Sequence, residues 1–234
     1  MRVLGHIGVR KGSKGVVGKN FREICGKPLI EWSLRQLLDN PRVGTVVVST
    51  DDERIRDYAL AQGTLDIGLR PAELASDTAP KWKVWQHALE TSEGLAGQMD
   101  AFLDLDCTAP LRAAHDVDDA LDLFAREKPD MVMSVCEARK NPYFNLVEPD
   151  ETGALRVSKP LPGGVWSRQT APKVYEHAAS TYVVDPGYLK RAETIYEGRV
   201  IPFEMPAERC LDIDSPLDFR FVELLLQERL SQND

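Results

Sequence analysis

Hydrophobic and polar positions along this chain follow two alternating rhythms. The stretch 2–9 ("RVLGHIGV") reads as a buried first strand, interrupted by two glycines and by His6. In 26–40, Leu29, Trp32, Leu34, Leu37 and Leu38 recur at roughly helical spacing, with Pro28 suited to the start and Asn40-Pro41 to the stop. "TVVVST" (45–50) is a second strand, and 51–63 is a helix ended by Gly63. A further helix is expected over 77–90, with Asp77 as its N-cap and Trp82, Trp85 and Leu89 on one face. Strands follow at 100–106 and 131–138, separated by a turn and a helix within 107–129. The remainder gives a strand at 180–185, a helix at 188–198, an edge strand at 200–206 and an amphipathic terminal helix at 214–230. Strand and helix alternating in this way predict an α/β fold with a mostly parallel or mixed central sheet flanked by helices.

Between 139 and 180 the rhythm lapses. Prolines, Gly163-Gly164 and scattered aromatics mark an excursion: hairpins, a partner contact or a lid. The whole, 1–234, is expected to form one domain carrying this inserted lobe.

Composition narrows the function. Hydrophobic residues make up 43% and charged residues 28%, a globular balance, and no apolar run is long enough for a membrane span. No signal-peptide pattern precedes the first strand, so a cytoplasmic location is expected. A net charge of −8 with no basic tract argues against nucleic acid as a partner. The four cysteines form no C-x-x-C pair and the four histidines no spaced ligand set, so free thiols are expected and zinc has little support.

The stretch after the first strand, "RKGSKGVVGKN" (10–20), carries the chemistry. A dinucleotide fingerprint needs G-x-G-x-x-G, whereas Gly12, Gly15 and Gly18 fall three apart. A P-loop needs a hydroxyl after Gly-Lys, and Asn20 stands there instead. Another reading fits better: glycines let backbone approach phosphate, and Arg10, Lys11, Lys14 and Lys19 surround a triphosphate or a departing pyrophosphate. A solvated basic loop is the bland alternative. Its place after the first strand of an α/β sheet favours a ligand.

Acidic residues supply a possible counterpart. Asp104 and Asp106 alternate at a strand end and share one face, and Asp212 and Asp214 repeat that spacing. Paired carboxylates suit Mg2+, and caps or salt bridges are the ordinary alternative.

At this point a resemblance becomes specific. "GVRKGSKGVVGKNFREICGKPLIEWSL" resembles the opening of the acylneuraminate cytidylyltransferases, which make CMP-activated nonulosonic acids. "VVVSTDD" (46–52), "RPAELASDTA" (70–79), "TAPLR" (108–112), "SRQTAPKVYEHAASTYVVD" (167–185) and "CLDIDSPLDF" (210–219) resemble later family segments in the same order. The resemblance implies a Rossmann-like nucleotidyltransferase fold with a small dimerisation lobe in the excursion, Tyr143, Phe144 and Trp166 being candidate interface anchors. The implied reaction takes CTP and a 2-keto-3-deoxy sugar acid. The anomeric hydroxyl attacks the α-phosphate and pyrophosphate leaves.

Carried onto this sequence, the family's residues assign Arg10, Lys14, Lys19 and Asp214 to catalysis. Arg10, Ser13, Lys14, Gly15, Lys19, Asn20, Arg70, Ser76 and Asp77 are assigned to the nucleotide. Arg168, Gln169 and Glu176 are assigned to the acceptor, and Asp106, Asp212 and Asp214 to Mg2+. Two departures stand out. Asp106 replaces a glutamine of the sialic-acid members, which brings the metal set nearer to the octulosonic type. Glu176 falls in a stretch where those members carry an arginine, which favours an atypical acceptor. His177 reads as a hydrogen-bonding core residue and Cys107 as a small residue in a turn. Competing readings are an octulosonic or phosphonate acceptor, a glycosyltransferase using "LDLD" as a metal-binding D-x-D, and an inactive binding protein.

Overall fold

The computed structural model describes residues 1–12 and 15–232, so Ser13 and Lys14 lie outside the described residues. The first strand, β1 (Val3–Gly8), is followed by a small hairpin, β2 (Glu23–Ile24) and β3 (Lys27–Pro28). Helix α1 (Leu29–Leu38) leads into β4 (Val43–Ser49), then α2 (Glu53–Ala61) and α3 (Lys81–Ala96). Next come β5 (Ala101–Leu105), α4 (Ala114–Glu127) and β6 (Met131–Glu137). A second hairpin pairs β7 (Val147–Pro149) with β8 (Leu155–Val157). The chain closes with β9 (Tyr175–Val184), α5 (Pro186–Arg191), β10 (Val200–Glu204) and α6 (Pro216–Ser231).

Six strands form one mixed sheet in the order β10-β6-β9-β5-β1-β4. β9 runs antiparallel to both neighbours, β5 and β6, and the other adjacent pairs are parallel. Alternation along each strand divides the core. Val3 and Ile7 face α1, α2 and α4, packing with Ile30, Leu34 and Leu121, whereas Leu4 and Phe102 face α3 and α5, packing with Trp85 and Tyr188. A third cluster, with Ile24, Leu29, Leu111, Phe219 and Val222, seats α6 beside the first hairpin. β1 has β4 on one side and β5 on the other, so the chain leaves it in both directions, the arrangement at which open α/β sheets bind ligands beyond their strand ends.

Four elements differ from the sequence expectation. α3 begins at Lys81, not at Asp77, because Pro80 disfavours helical backbone at Ala79 and itself stands at the N-cap. Asp77 instead pairs with Arg10. Pro28 belongs to β3 and precedes the first turn of α1. α5 stops at Arg191: Ala192 is extended, and its carbonyl accepts from Trp82 Nε1 at 2.7 Å and from Gln86 Nε2 at 3.1 Å. β9 starts at Tyr175, so the last six residues of the expected excursion belong to the sheet.

Arg112 closes the C-terminal end of β5. It is 1% exposed. Its guanidinium donates to Ser180 O at 2.8 Å, to the hydroxyls of Ser180 and Ser33 at 3.1 and 2.7 Å, and to Gln36 Oε1 at 2.8 Å. Burial lowers its pKa to about 10, well short of neutralising it. Arg112→Leu strands these acceptors in a dry interior and should cost about 3 kcal/mol of stability. A lower urea midpoint at unchanged slope would show the loss, and a midpoint equal to wild type would remove the role.

Candidate active site

The C-terminal ends of β1 and β5 meet the segment before α6. The basic loop leaves β1 at Arg10 and returns through a single 3-10 turn, Lys19–Phe21, entered by Gly18 at φ 64°. Asn20, 6% exposed, fixes the loop: its Nδ2 donates to Arg10 O at 3.0 Å, and its Oδ1 accepts from Cys107 Sγ at 3.4 Å. Burial pushes the Cys107 thiol up to about 12, so it stays protonated. Lys19 Nζ donates to Ile213 O at 2.6 Å and stands 3.8 Å from Asp214 Oδ1. Ile213 N in turn donates to Thr108 O at 3.0 Å. Gly15 is required by contact: a Cβ there would lie 1.9 Å from Asp214 O. Arg10, Gly15, Lys19, Asp106, Thr108 and Asp214 thus line one cleft of about 280 Å³.

A second cleft of about 250 Å³ shares Gly8, Arg10 and Asp106 with the first. Its own wall includes His6, Arg70, Ser76, Asp77, Lys81 and Trp85. Arg10 pairs with Asp77 across it. Arg70, 9% exposed, donates from Nε to Ser49 Oγ at 3.0 Å, and burial lowers its pKa to about 10, so it remains a cation.

Beneath this cleft lies a charged network that sequence reasoning passed over. Lys81 Nζ reaches both Asp106 oxygens, at 2.7 and 2.6 Å, and Asp104 Oδ2 at 2.9 Å. The ammonium also sits 4.2 Å from the Tyr182 ring centroid and 5.0 Å from that of Trp85. Asp104 Oδ1 is 2.5 Å from His6 Nδ1, and both residues are fully buried. Burial lowers the pKa of Lys81, but Asp104 and Asp106 more than offset this and raise it. Burial likewise raises that of Asp104, and the Lys81 charge and the His6 hydrogen bond outweigh it, leaving the carboxyl at about 2. For His6 burial wins over the Asp104 contact, so the imidazole is neutral. The available signal was the shared face of Asp104 and Asp106. What was missing was that the first turn of α3 sets a lysine over that face.

The acids predicted for a metal are placed unequally. Asp106 is held by Lys81, and the Asp214 side chain is 80% exposed. Asp212 is largely buried, and its Oδ1 has no hydrogen-bond partner among the described residues. Burial pushes the Asp212 carboxyl up, a Thr108 hydrogen bond opposes this, and repulsion from Asp214 and Asp106 adds to it. Asp212, repelled by both Asp214 and Asp106 and carrying an orphaned oxygen, is a carboxylate whose chemistry suits a hard divalent cation. Among the described residues no group of three or more acidic, histidine or cysteine side chains is already gathered around one point. Asp104 is fully buried, so "LDLD" does not present an exposed D-x-D.

The acceptor candidates stand apart from both clefts. Arg168 and Gln169 line a separate depression of about 310 Å³ with Asn141 and Lys173. Arg168 Nη2 donates to Arg139 O at 3.1 Å, and Glu176 Oε1 accepts from Arg139 N at 2.8 Å, so both side chains brace the start of the excursion. His177 is exposed rather than in the core; its Nε2 lies 3.0 Å from the Tyr182 hydroxyl. Tyr143 and Phe144 are half-buried, whereas Trp166 is 87% exposed.

The family model for cytidylyltransferases matches residues 7–232. The chain belongs to the cytidylyltransferase family. It is 37% identical over 228 residues to a post-translational flagellin modification protein B of Campylobacter coli, covering 97% of this chain and 96% of that one. It is 35% identical over 234 residues to a CMP-N,N'-diacetyllegionaminic acid synthase of Campylobacter jejuni, covering 99% and 98%. Among solved structures, a CMP:2-keto-3-deoxy-manno-octonic acid synthetase complexed with CTP matches with a TM-score of 0.69 at 17% identity, covering 98% of this chain and all of the other. That likeness establishes an α/β nucleotidyltransferase fold with a mixed central sheet flanked by helices.

Gly15→Ala tests the contact between loop and acidic segment in this cytidylyltransferase. The added methyl group must push the loop off Asp214, so nucleotide affinity should fall at least about tenfold with little change in melting temperature. Titration calorimetry reads the affinity, and wild-type binding by the variant would show that this approach does not shape the cleft.

Proposed function

We propose that this chain transfers CMP from CTP to the anomeric hydroxyl of a nonulosonic acid, with release of pyrophosphate. One observation carries the reading. Two adjoining clefts at the C-terminal edge of the sheet share Arg10, one lined by the basic loop and acidic segment, the other by polar and apolar groups that include Arg70, Ser76, Asp77 and Trp85. The near-full-length likeness to a CMP-N,N'-diacetyllegionaminic acid synthase supports a nonulosonic acid of the legionaminic kind as acceptor.

In this reading the triphosphate lies along the basic loop. Arg10 and Lys19 neutralise its oxygens and the charge that gathers on departing pyrophosphate, and Lys14 and Ser13 belong to the same loop by sequence. Gly15 and Asn20 hold the loop's shape. Ser76 and Asp77 stand at the mouth of the second cleft, within reach of ribose. The reaction is mainly one of placement and charge compensation, and no cysteine is needed as a nucleophile. Asp106, Asp212 and Asp214 are the residues that would hold Mg2+; when bound, the ion supplies charge neutralisation at the phosphates and favours ionisation of the attacking hydroxyl. Asp106 would then share its oxygens between Lys81 and the ion.

For the acceptor, the Arg168 guanidinium suits the sugar carboxylate bidentately, with Gln169 beside it and Glu176 offered to an amino or hydroxyl group. Their separation from the clefts is consistent with a homodimer in which the excursion of one copy completes the site of the other. Trp166, Leu155 and Leu161 give that lobe exposed apolar surface.

A pyrophosphate-release screen tests the proposal directly. CTP, Mg2+ and a panel of nonulosonic, octulosonic and phosphonate acids should yield pyrophosphate with a nonulosonic acid, and chelation should stop the reaction until Mg2+ is restored. Release with none of the acids from a folded preparation would end the enzyme reading. Arg168→Ala should raise the acceptor KM about tenfold or more while leaving the KM for CTP near wild type. An unchanged acceptor KM would remove Arg168 from the acceptor site.

A further inference from the structure

Asp106 stands on rigid backbone. Its N–H donates to Ser180 O at 3.0 Å, and its carbonyl accepts from Ser33 Oγ at 3.1 Å. The segment that carries Asp212 and Asp214 has no such frame. Between the end of β10 and the start of α6, residues 205–214 belong to neither the sheet nor an α-helix and form a single 3-10 turn, Ala207–Arg209. Met205 N ties one end of this segment to Val135 O at 2.8 Å, and the bond from Ile213 N to Thr108 O ties the other. Repulsion of Asp212 by Asp106 acts to push the segment off the turn after β5.

Arg209 opposes that push from midway along the segment. Its guanidinium is bidentate on Asp116, Nε to Oδ2 and Nη2 to Oδ1, each at 2.9 Å. Asp116 lies in the first turn of α4, the helix that follows the Asp106 turn, and is 1% exposed. Its Oδ2 also accepts from Ala113 N at 2.8 Å, so the carboxylate is locked to the helix start. A planar fork on a carboxylate fixes orientation as well as distance, which a lysine does not. A buried ion pair often adds little net stability over an apolar contact of the same shape, so placement is the better account of this one.

We propose that Arg209 is a positioning residue for CMP transfer: by gripping Asp116 it holds the segment carrying Asp212 and Asp214 against the turn and helix that follow Asp106, so that acids from two distant parts of the chain can share one divalent cation. The inference rests on the CTP and Mg2+ reading above and adds what keeps the proposed ligands together before the ion binds. Arg209 acts through the backbone that leads from it to Asp212, in the manner of groups that orient metal ligands without touching the metal.

The test is run without acceptor, so that no turnover intervenes. Electron paramagnetic resonance of free Mn2+ follows binding of that ion to the CTP-loaded protein, with CTP alone as control, and titration calorimetry follows CTP binding in the presence of a chelator. Arg209→Met keeps much of the side chain's length and removes the fork. It should weaken Mn2+ binding about tenfold or more while the metal-free affinity for CTP stays within about twofold of wild type. Asp116→Asn keeps an oxygen for Ala113 N and should weaken Mn2+ to a similar degree, so it decides the matter if Arg209→Met does not fold. Wild-type Mn2+ affinity in a folded variant would overturn the inference. So would an equal loss of Mn2+ and metal-free CTP binding, the mark of a merely structural role. Those outcomes sink this inference alone, whereas wild type that binds CTP but no Mn2+ beyond the control sinks the Mg2+ reading with it, and wild type that binds no CTP sinks the CTP reading.

Discussion

The contact on which this site depends is the ammonium of Lys81 set between Asp104 and Asp106. Two carboxylates on one face at the end of a strand repel each other, and one of them lies wholly inside the protein. Without a cation, Asp104 would have to take up a proton or disrupt the packing of Phe102 and Trp85 around it. Lys81 settles the conflict from the first turn of α3, its charge lying over the rings of Tyr182 and Trp85. The consequences run in two directions. Outward, Asp106 is held at the boundary between the two clefts. Inward, the same ammonium compensates the buried Asp104 carboxylate, which lies against His6 Nδ1.

Around this network the sheet topology supplies placement. β1 ends between β4 and β5, so the loop that follows it opens onto the turn after β5 and the segment before α6. Among the described residues those three segments are joined by Lys19 to the Ile213 carbonyl, Ile213 N to Thr108 O, Cys107 Sγ to Asn20 Oδ1, and Gly15 against Asp214. Arg112 anchors the same region from below, by way of Ser180 and Ser33. Cations and carboxylates therefore face one another across a cleft on rigid supports, the condition for electrostatic stabilisation that needs little rearrangement.

Much of the fold was legible in the order of apolar runs. "TVVVST", "AFLDL" and "MVMSV" are strands because continuous apolar segments are what a sheet covered on both faces requires. The misreadings have two causes. The start of α3 was moved by Pro80, a local signal, because a proline disfavours helix at the residue before it. The end of α5 was moved by two donors from α3 to the Ala192 carbonyl, and the start of β9 by pairing with β6. Those two involve partners distant in sequence, so local pattern carries no trace of them. The site divides in the same way. The basic loop and "LDIDS" were visible as motifs, whereas Lys81 and His6 look unremarkable until the sheet and α3 bring them together.

By itself, then, the sequence determined the α/β class, the order of the elements and the basic loop, because periodicity and motif spacing are local properties, and its resemblance to known segments in the same order pointed to the cytidylyltransferase family. Tertiary structure alone decided which charges meet. Asp77 left a helix cap for Arg10, Asp106 met Lys81, and His6 met Asp104 across neighbouring strands ninety-eight residues apart. Burial then gave those contacts their chemical meaning, since a carboxylate inside the protein must hold a proton or a partner, and here it holds Lys81 and the imidazole.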